Sequence, residues 1–304
     1  MSAYADARTI SVIVPTAAFA RRRALVWRAI ESILSQRDVS AIPIVIVNGP
    51  SRDRAVTREL LADRRLRVHV LEEAGLPHAL QAGRRLVDTP WFAELDDDDL
   101  LLPDALSLRI AALAQSDDHD CVVTNGYRRN KTEDVLNIPD MSVVARDPIR
   151  AFWDRNWLLP GSYLCRTDRV ADDVFDGMPA SMECTYVALR LALAYRIRFL
   201  QRPTVIWHAQ RPGSLSHSRH WILSSATAHE RLLALDLPPD VQGKVQERIT
   251  MARHSASDLC LREGNRSAAW GWHLRSLVGR GGHRYLPYTA KLMYKTLTPL
   301  QVVR

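Results

Sequence analysis

Four consecutive aspartates at residues 96–99 lie between two apolar segments, and they restrict what this chain can fold into more than any other feature. The preceding segment, residues 91–95, indicates a short strand, and residues 100–102 lead to Pro103, a residue that favours the first turn of a helix. Adjacent carboxylates repel one another and raise one another's pKa. They can form a solvated turn that caps the helix, or they can bind a divalent metal ion through their oxygens. Because apolar segments hold the cluster from both sides, the sequence favours the metal ion.

The residues around this cluster alternate between strand and helix patterns. Strands are predicted where β-branched or apolar runs occur, at residues 10–14, 42–47, 68–71, 91–95 and 120–124. Helices are predicted where apolar residues recur at helical spacing, over residues 22–36, 54–64, 76–87 and 103–115. This alternation predicts an α/β fold with a mostly parallel, Rossmann-like sheet flanked by helices.

Several polar residues follow the predicted strands and are expected on one side of the sheet. Pro15 and Thr16 follow the first strand, Asn48 the second, and the aspartates the fourth. In open α/β sheets, ligands bind beyond these carboxyl ends of the strands. A dinucleotide or P-loop site is not indicated, because neither GxGxxG nor GxxxxGK[ST] occurs at the expected place.

The second half of the chain has fewer regular patterns. Residues 128–156 are predicted to be irregular, and residues 182–194 form an amphipathic helix with Glu183 in its first turn, where the helix dipole favours negative charge. A strand pair is predicted on either side of Pro203, at residues 197–200 and 204–208. From about residue 221 the pattern is helical.

The composition excludes several classes of protein. A hydrophobic content of 47% and a charged content of 25% are ordinary for a globular protein. No apolar run approaches the roughly 18 residues of a transmembrane helix, and the N-terminal apolar run is too short for a signal peptide, so we expect a cytoplasmic protein. The four cysteines form no CxxC pair, which argues against a zinc site and against a disulfide framework.

Five segments, in order, resemble glycosyltransferase family 2, whose members bind nucleotide sugars in a fold called GT-A. ISVIVPT resembles the family's opening strand and Pro-Thr loop, GLPHALQAG its GxxxARNxG helix, and ELDDDDLLLPDAL its strand, DxD motif and helix start. FDGMPASMECTYVALRLAL resembles the acceptor-side segment, and RPGSLSHS the closing HPGSLS loop. A lone DxD triplet is weak evidence, but five segments in the right order within residues 8–218 are strong evidence. The resemblance implies a GT-A-like sheet with a C-terminal helical extension.

The resemblance also implies a reaction. A metal-dependent, inverting enzyme of this family moves a sugar from a nucleotide-diphosphate sugar to a hydroxyl of a glycan, lipid-linked or small-molecule acceptor. A divalent ion, Mn²⁺ or Mg²⁺, would stabilise the charge that develops on the diphosphate. By alignment Asp98 is the first candidate for metal contact. His208 and Arg211 precede the closing loop, and either could reach the metal or the diphosphate. His208 could equally be a strand-end histidine that is hydrogen-bonded in the core. Asp99 is then expected to cap the following helix.

The same alignment implies where the donor binds. Pro15 and Thr16 would shape the nucleoside pocket through backbone groups. The residues expected against the nucleotide sugar are Pro15, Thr16, Asn48, Gly75, Asp96 and Asp97.

The acceptor hydroxyl must lose a proton as it attacks, and a carboxylate suits this role. Glu183 matches the first residue of the family's Glu-Asp pair, and Cys184 stands where the Asp, the usual base, is expected. Glu183 is therefore the candidate base, although it could serve only as a helix N-terminal charge. No base for Cys184 is evident, which disfavours a nucleophilic role for its thiol.

Three departures from the family pattern keep a second function open. Asn48 stands where the family usually has an aspartate that reads the base, Leu80 and Gln81 replace an Arg-Asn pair, and Cys184 replaces the usual base. These changes suit a nucleotide-sugar-binding pseudoenzyme or an interaction module that lacks turnover.

Residues 221–304 are predicted to form a basic helical extension beyond a GT-A domain of residues 1–220, whose halves are residues 8–115 and 116–220. The net charge of +7 suits polyanionic partners, and no acidic residue occurs from Arg266 to Arg304. Basic residues with aromatic neighbours could bind nucleic acid or an anionic membrane surface, or the extension could simply pack on the catalytic domain. With a lipid-linked acceptor, peripheral contact with the inner face of the membrane is the better functional interpretation, and no nucleic acid is expected.

Overall fold

The computed structural model of the chain describes residues 7–130, 133–208 and 218–297. Within these ranges, residues 7–178 and 183–208 form one compact unit, and residues 179–182 and 218–297 form another. Arg211 and most of the RPGSLSHS segment, both expected near the donor, lie outside the described residues.

The first unit is built on one sheet. Its strands are β1 (Thr9–Thr16), β2 (Ser40–Asn48), β3 (Arg67–Leu71), β4 (Trp91–Glu94), β5 (Leu100–Leu101), β6 (Cys121–Arg129), β7 (Asp134–Leu136), β8 (Tyr163–Arg166) and β9 (Ile197–His208). Their order is β3-β2-β1-β4-β8-β6-β9-β5, and β7 pairs with β6. Strands β1 to β4 pair in parallel, whereas β8 runs antiparallel to both β4 and β6. The predicted α/β fold is confirmed, with a parallel half up to β4 and a mixed half beyond it.

Helices flank the sheet and also make up the second unit. In the first unit they are α1 (Arg23–Leu34), α2 (Arg54–Ala62), α3 (Leu76–Arg85), α4 (Ala105–Ala114), α5 (Met141–Arg146), α6 (Pro148–Asp154) and α7 (Glu183–Ala194). In the second unit they are α8 (Arg219–Leu232), α9 (Pro239–Arg262), α10 (Arg266–Leu277) and α11 (Leu286–Leu297). Among the described residues, none of these helices combines the length and the apolar character needed to cross a membrane.

Strand β1 lies at the centre of the core, and all eight of its residues are buried. Its β-branched side chains alternate between two covered faces, which explains why the strand is a continuous apolar run. On one face Ile10, Val12 and Val14 belong to the same buried cluster as Ile30 of α1. On the other face α3 approaches so closely that a Cβ added at Gly83 would lie 2.3 Å from the Cγ2 of Ile13.

Two predictions for the second half of the sheet are wrong. The expected strand pair around Pro203 is one strand, β9, which runs parallel to β6. Pro203 lies opposite Asn125, where the register of the two strands shifts, and an irregularity of this kind accommodates a residue without a backbone N–H. Residues 128–156, expected to be irregular, contain the end of β6, β7, α5 and α6.

Candidate active site

Three of the four adjacent aspartates come together in the loop between β4 and β5. One carboxylate oxygen each of Asp96, Asp98 and Asp99 lie within 4.8 Å of one another. Asp99 is buried, and Asp96 and Asp98 are half-buried. Asp98 was predicted as a metal ligand and Asp96 as a donor contact, and the fold brings both into one group.

Asp99 does not cap a helix, contrary to the prediction. Helix α4 begins at Ala105 and has Asp104 at its N-cap, because the two-residue strand β5 separates the aspartates from the helix. Instead, the backbone N–H of His208 donates to Oδ1 of Asp99 at 2.9 Å, and Nδ1 of His208 lies 3.6 Å from the same oxygen. Strand β5 pairs with β9, and this pairing brings the end of β9 to the aspartates. His208, the other predicted metal ligand, therefore lies beside the group.

Asp97 turns away from the other three towards the end of β1. The hydroxyl of Thr16 donates to its Oδ2 at 2.6 Å, and the Arg22 guanidinium pairs with its carboxylate. Nη2 of Arg22 also lies 3.2 Å from Oδ2 of Asp98. Burial alone would lower the pKa of Arg22, but the two carboxylates outweigh it and raise that pKa. Sequence reasoning missed Arg22, whose only signal was a run of three arginines after the Pro-Thr segment.

The electrostatics of the group favour a bound cation. Burial raises the pKa of Asp96 well above its usual value, and the negative charges of Asp99 and Glu94 raise it further. A divalent ion would neutralise the repulsion that adds to this shift. The donors are carboxylate oxygens, which hard ions such as Mg²⁺ and Mn²⁺ prefer, so Asp96, Asp98 and Asp99 fit such an ion.

Asn48 joins the ends of β1 and β2 to the start of α3. Its Nδ2 donates to the backbone carbonyl of Thr16 at 3.1 Å, and its Oδ1 accepts from the backbone N–H of Gly75 at 3.1 Å. Gly75 has a φ of +138°, a conformation that favours glycine. The predicted donor residues Pro15, Thr16, Asn48 and Gly75 therefore lie together at the carboxyl edge of the sheet. The side-chain amide of Asn48 links the end of β1 to the start of α3.

Glu183 and Cys184 are the first two residues of α7, and both are half-buried. Burial raises the pKa of Glu183. Burial also raises the pKa of the Cys184 thiol well above its usual value, and the charges of Glu94 and Asp96 add to this effect. Electrostatic interactions therefore couple the start of α7 to Glu94 and to the aspartates. The thiol is neutral at ordinary pH, which agrees with the expectation that it is not a nucleophile.

A buried carboxylate that the sequence did not single out lies next to this region. Glu94 at the end of β4 is 5% exposed, and the Tyr163 hydroxyl donates to its Oε2 at 2.5 Å. Burial raises the pKa of Glu94 to about 7, and the charge of Glu183 contributes to the increase. The sequence did not indicate a functional role for Glu94, because this residue belongs to an otherwise apolar strand.

The positions that match the family's Arg-Asn pair have structural roles here. Leu80 is 1% exposed in the core, and Nε2 of Gln81 donates to the carbonyl of Phe175 at 3.3 Å. Gln81 thus links α3 to the segment that precedes α7.

The chain was compared with protein families, curated protein sequences and solved structures. Residues 11–167 match the family model described as glycosyl transferase family 2. No curated protein sequence matches the chain. Residues 1–349 of the S. aureus protein TarS in complex with UDP-GlcNAc share 14% identity with the chain at a TM-score of 0.56, covering 87% of this chain and 80% of TarS 1–349. The complex of the same protein with UDP shares 14% identity at a TM-score of 0.51, covering 81% and 71%.

At this level of identity the likeness to TarS concerns the fold alone, and it confirms the GT-A-like fold. The family match spans more than half of the chain and confirms the resemblance seen in the sequence. The chain is a glycosyltransferase and belongs to glycosyl transferase family 2.

Proposed function

We propose that this glycosyltransferase is metal-dependent and inverting, and that it moves a sugar from a nucleotide-diphosphate sugar to a hydroxyl of a glycan, lipid-linked or small-molecule acceptor. One observation carries the proposal. Three carboxylate oxygens, from Asp96, Asp98 and Asp99, lie within 4.8 Å of one another beside the residues that match the family's donor site.

Asp96, Asp98 and Asp99 would hold Mn²⁺ or Mg²⁺, with His208 next to Asp99. Bound to these oxygens, a divalent ion would act as a Lewis acid and neutralise the charge that develops on the leaving diphosphate. This arrangement explains why carboxylates that repel one another are kept together at the edge of the sheet.

The nucleoside would bind where Pro15, Thr16, Asn48 and Gly75 meet. The hydrogen bonds of Asn48 to Thr16 and Gly75 fix the pocket walls before the donor arrives, which lowers the entropic cost of binding. Asp97, held by Thr16 and Arg22, would lie on the ribose side of the pocket. The TarS structures contain UDP-GlcNAc and UDP, so a uridine diphosphate sugar is the first donor to test.

Glu183 would accept the proton of the acceptor hydroxyl as its oxygen attacks the anomeric carbon. Its half-buried position and raised pKa suit a general base better than a solvated carboxylate would. Attack from the face opposite the diphosphate inverts the configuration at that carbon. Cys184, at the position of the family's usual base, would contribute no charge, because its thiol stays protonated.

We also propose that the GT-A domain is followed by a separate helical extension, and that the protein acts in the cytoplasm in peripheral contact with the inner face of the membrane. The four cysteines are free thiols, as expected in a reducing compartment. Cys121 and Cys165 remain thiols although they are directly opposite each other on β6 and β8.

A turnover assay tests the proposed reaction. Donors with UDP, dTDP and GDP are incubated with acceptor panels, with and without Mn²⁺, and release of the nucleoside diphosphate is measured. We expect metal-dependent release with at least one donor. Tight metal-dependent binding of a donor without turnover on any acceptor would contradict this proposal and support the pseudoenzyme.

A further inference from the structure

The outer face of α11 carries several exposed apolar side chains. We define it as Leu286, Pro287, Ala290, Met293 and Leu297. Leu286 is 57% exposed, Met293 51% and Leu297 81%, and the other two are also exposed. Tyr294, 65% exposed, lies on the same side. At about 100° per residue these positions cover roughly 120° of the helix circumference, so they form one continuous stripe.

The rest of α11 is anchored to its neighbours within the unit. Leu292 is fully buried and packs in a cluster with Cys260 and Ala269. The Thr289 hydroxyl lies 2.8 Å from Nε2 of His273, and the Thr296 hydroxyl accepts from Nε1 of Trp270 at 3.1 Å.

On its other flank α11 contacts α9. Nζ of Lys291 donates to Oδ1 of Asp258 at 3.1 Å, and the ring of Tyr288 lies 4.7 Å from that of His254. Contacts with both α9 and α10 fix the rotation of α11 about its own axis. The apolar stripe is therefore held outward by the fold.

The segment that carries the stripe is basic, although Asp258 of α9 pairs with Lys291 on one flank of α11. No acidic residue occurs between residues 264 and 297, a segment that covers α10, the short helix Gly282–Tyr285 and α11. Arg284 lies two residues before the start of the stripe, and Lys295 lies within α11. Both are exposed. Near the end of α10 the exposed residues Leu274, Arg275 and Val278, the last of which directly follows the helix, repeat the combination of apolar and basic side chains.

The basic character of this segment favours an anionic lipid surface over a second copy of the chain as the partner that covers the stripe. A second copy of the chain would bring the same basic side chains together across a symmetric interface, where like charges repel. An anionic lipid surface attracts them, and it accepts an apolar helical stripe at the boundary between headgroups and acyl chains.

We propose that the outer face of α11, together with Arg284 and Lys295, docks on an anionic lipid bilayer. The proposal specifies the surface and the lipid charge behind the proposed membrane contact. It does not depend on the transfer chemistry, because none of these residues belongs to the candidate active site.

Vesicle sedimentation with the full chain tests the proposal. Vesicles of phosphatidylcholine alone are compared with vesicles that also contain phosphatidylglycerol, at low and at high salt. The bound fraction should be high only with the anionic vesicles and should fall as salt is raised.

The variants separate the apolar from the electrostatic contribution. The double change Met293→Ser and Leu297→Ser should weaken partitioning by about 10-fold or more, since two exposed apolar side chains no longer enter the bilayer. The double change Arg284→Gln and Lys295→Gln should weaken binding only to the anionic vesicles. Leu61→Ser, in α2 and 55% exposed, is the matched control and should bind as the unchanged chain does. All of these positions are exposed, and circular dichroism checks that each variant is folded.

Equal binding to both vesicle types, or none to either, would overturn the proposal. So would a concentration-dependent dimer that the Met293→Ser and Leu297→Ser changes dissociate, because a second copy would then occupy the stripe. Transfer to a water-soluble acceptor should be unchanged in these variants, so a failure of vesicle binding is distinguishable from a failure of the proposed function.

Discussion

At the scale of single residues, four adjacent aspartates have two different environments. Asp96, Asp98 and Asp99 form one group of oxygens, whereas Asp97 is bound by Thr16 and Arg22. The backbone conformation at each aspartate decides which way its carboxylate points and so produces these two environments. Four identical residues in sequence do not reveal it. Arg22 contacts both Asp97 and Asp98, and it therefore influences any ion bound to the group.

Replacing Arg22 should change the affinity for metal in the absence of nucleotide. In Arg22→Gln the positive charge 3.2 Å from Asp98 is lost, and we expect Mn²⁺ to bind about 3- to 10-fold more tightly, measured by calorimetry. Arg22→Lys keeps the charge and should stay near the unchanged chain. Arg23→Gln, which removes only an exposed pair with Glu59, is the control. Unchanged or weaker Mn²⁺ binding in Arg22→Gln would show that Arg22 does not act on the ion.

Replacing Glu183 should separate catalysis from binding. Glu183→Gln keeps the size of the side chain but removes the proton acceptor, so turnover should fall by about 10²- to 10⁴-fold while donor affinity stays the same. Glu31→Gln, which affects an exposed glutamate paired with Arg65, should leave both unchanged. Weaker donor binding in Glu183→Gln would mean that the residue belongs to the donor site.

At the scale of secondary-structure elements, close packing of α3 on β1 leads to a stability prediction. An added Cβ at Gly83 would lie 2.3 Å from Ile13, so Gly83→Ala should lower the free energy of unfolding by about 1–3 kcal/mol. At Gly271, within α10, an added Cβ meets nothing within 4 Å. Gly271→Ala should therefore raise the free energy of unfolding by about 0.5–1 kcal/mol. Urea denaturation followed by circular dichroism measures both, and a neutral Gly83→Ala would refute the tight contact.

The elements that the sequence predicted well are those in which local pattern and tertiary environment agree. Strand β1 and helix α1 have apolar residues that are buried on the expected faces. Strand β9 was predicted as two pieces, because Pro203 signals a break locally and only the pairing with β6 shows that a register shift accommodates it. Strand β5 has two residues and no periodicity, so no local pattern predicted that it would separate the start of the helix from Asp99.

The candidate site was likewise predictable where a local motif marks its residues, and not where contacts join distant parts of the chain. The motif spacing located Asp96, Asp98, Thr16 and Asn48. The contacts of Arg22 with Asp97, and of Tyr163 with Glu94, join positions about 70 residues apart in the chain and needed the fold.

At the scale of the whole molecule, buried histidines make stability depend on pH. Burial lowers the pKa of His229, His254 and His273 below 6.5. Below pH 6.5 these histidines therefore bind protons in the unfolded chain that they do not bind in the folded chain, and their contribution to the free energy of unfolding decreases as the pH falls. Above pH 6.5 these histidines are neutral in both the folded and the unfolded chain, so their full contribution to the free energy of unfolding is present there.

Denaturation midpoints measured between pH 8 and pH 5 test this dependence. Glu94, whose pKa is raised, acts in the opposite direction, so the histidine effect is measured as a difference. The midpoint of His229→Gln relative to that of the unchanged chain should increase as the pH falls below 6.5, because the variant lacks one of the buried groups. His283→Gln, at an exposed position, serves as the control. A relative midpoint of His229→Gln that decreases or stays the same on acidification would contradict the sign of the effect.

The central claim is that Asp96, Asp98 and Asp99 hold the ion that binds the donor diphosphate. The most direct measurement is calorimetry of whichever of UDP, dTDP and GDP binds best, with and without Mn²⁺, on the unchanged chain and on Asp98→Asn. We predict that Mn²⁺ tightens nucleotide binding to the unchanged chain by at least about 10-fold, that Asp98→Asn loses this gain, and that Asp118→Asn, at an exposed position, keeps it. An equal Mn²⁺-dependent gain in Asp98→Asn, or no gain in the unchanged chain, would contradict the account.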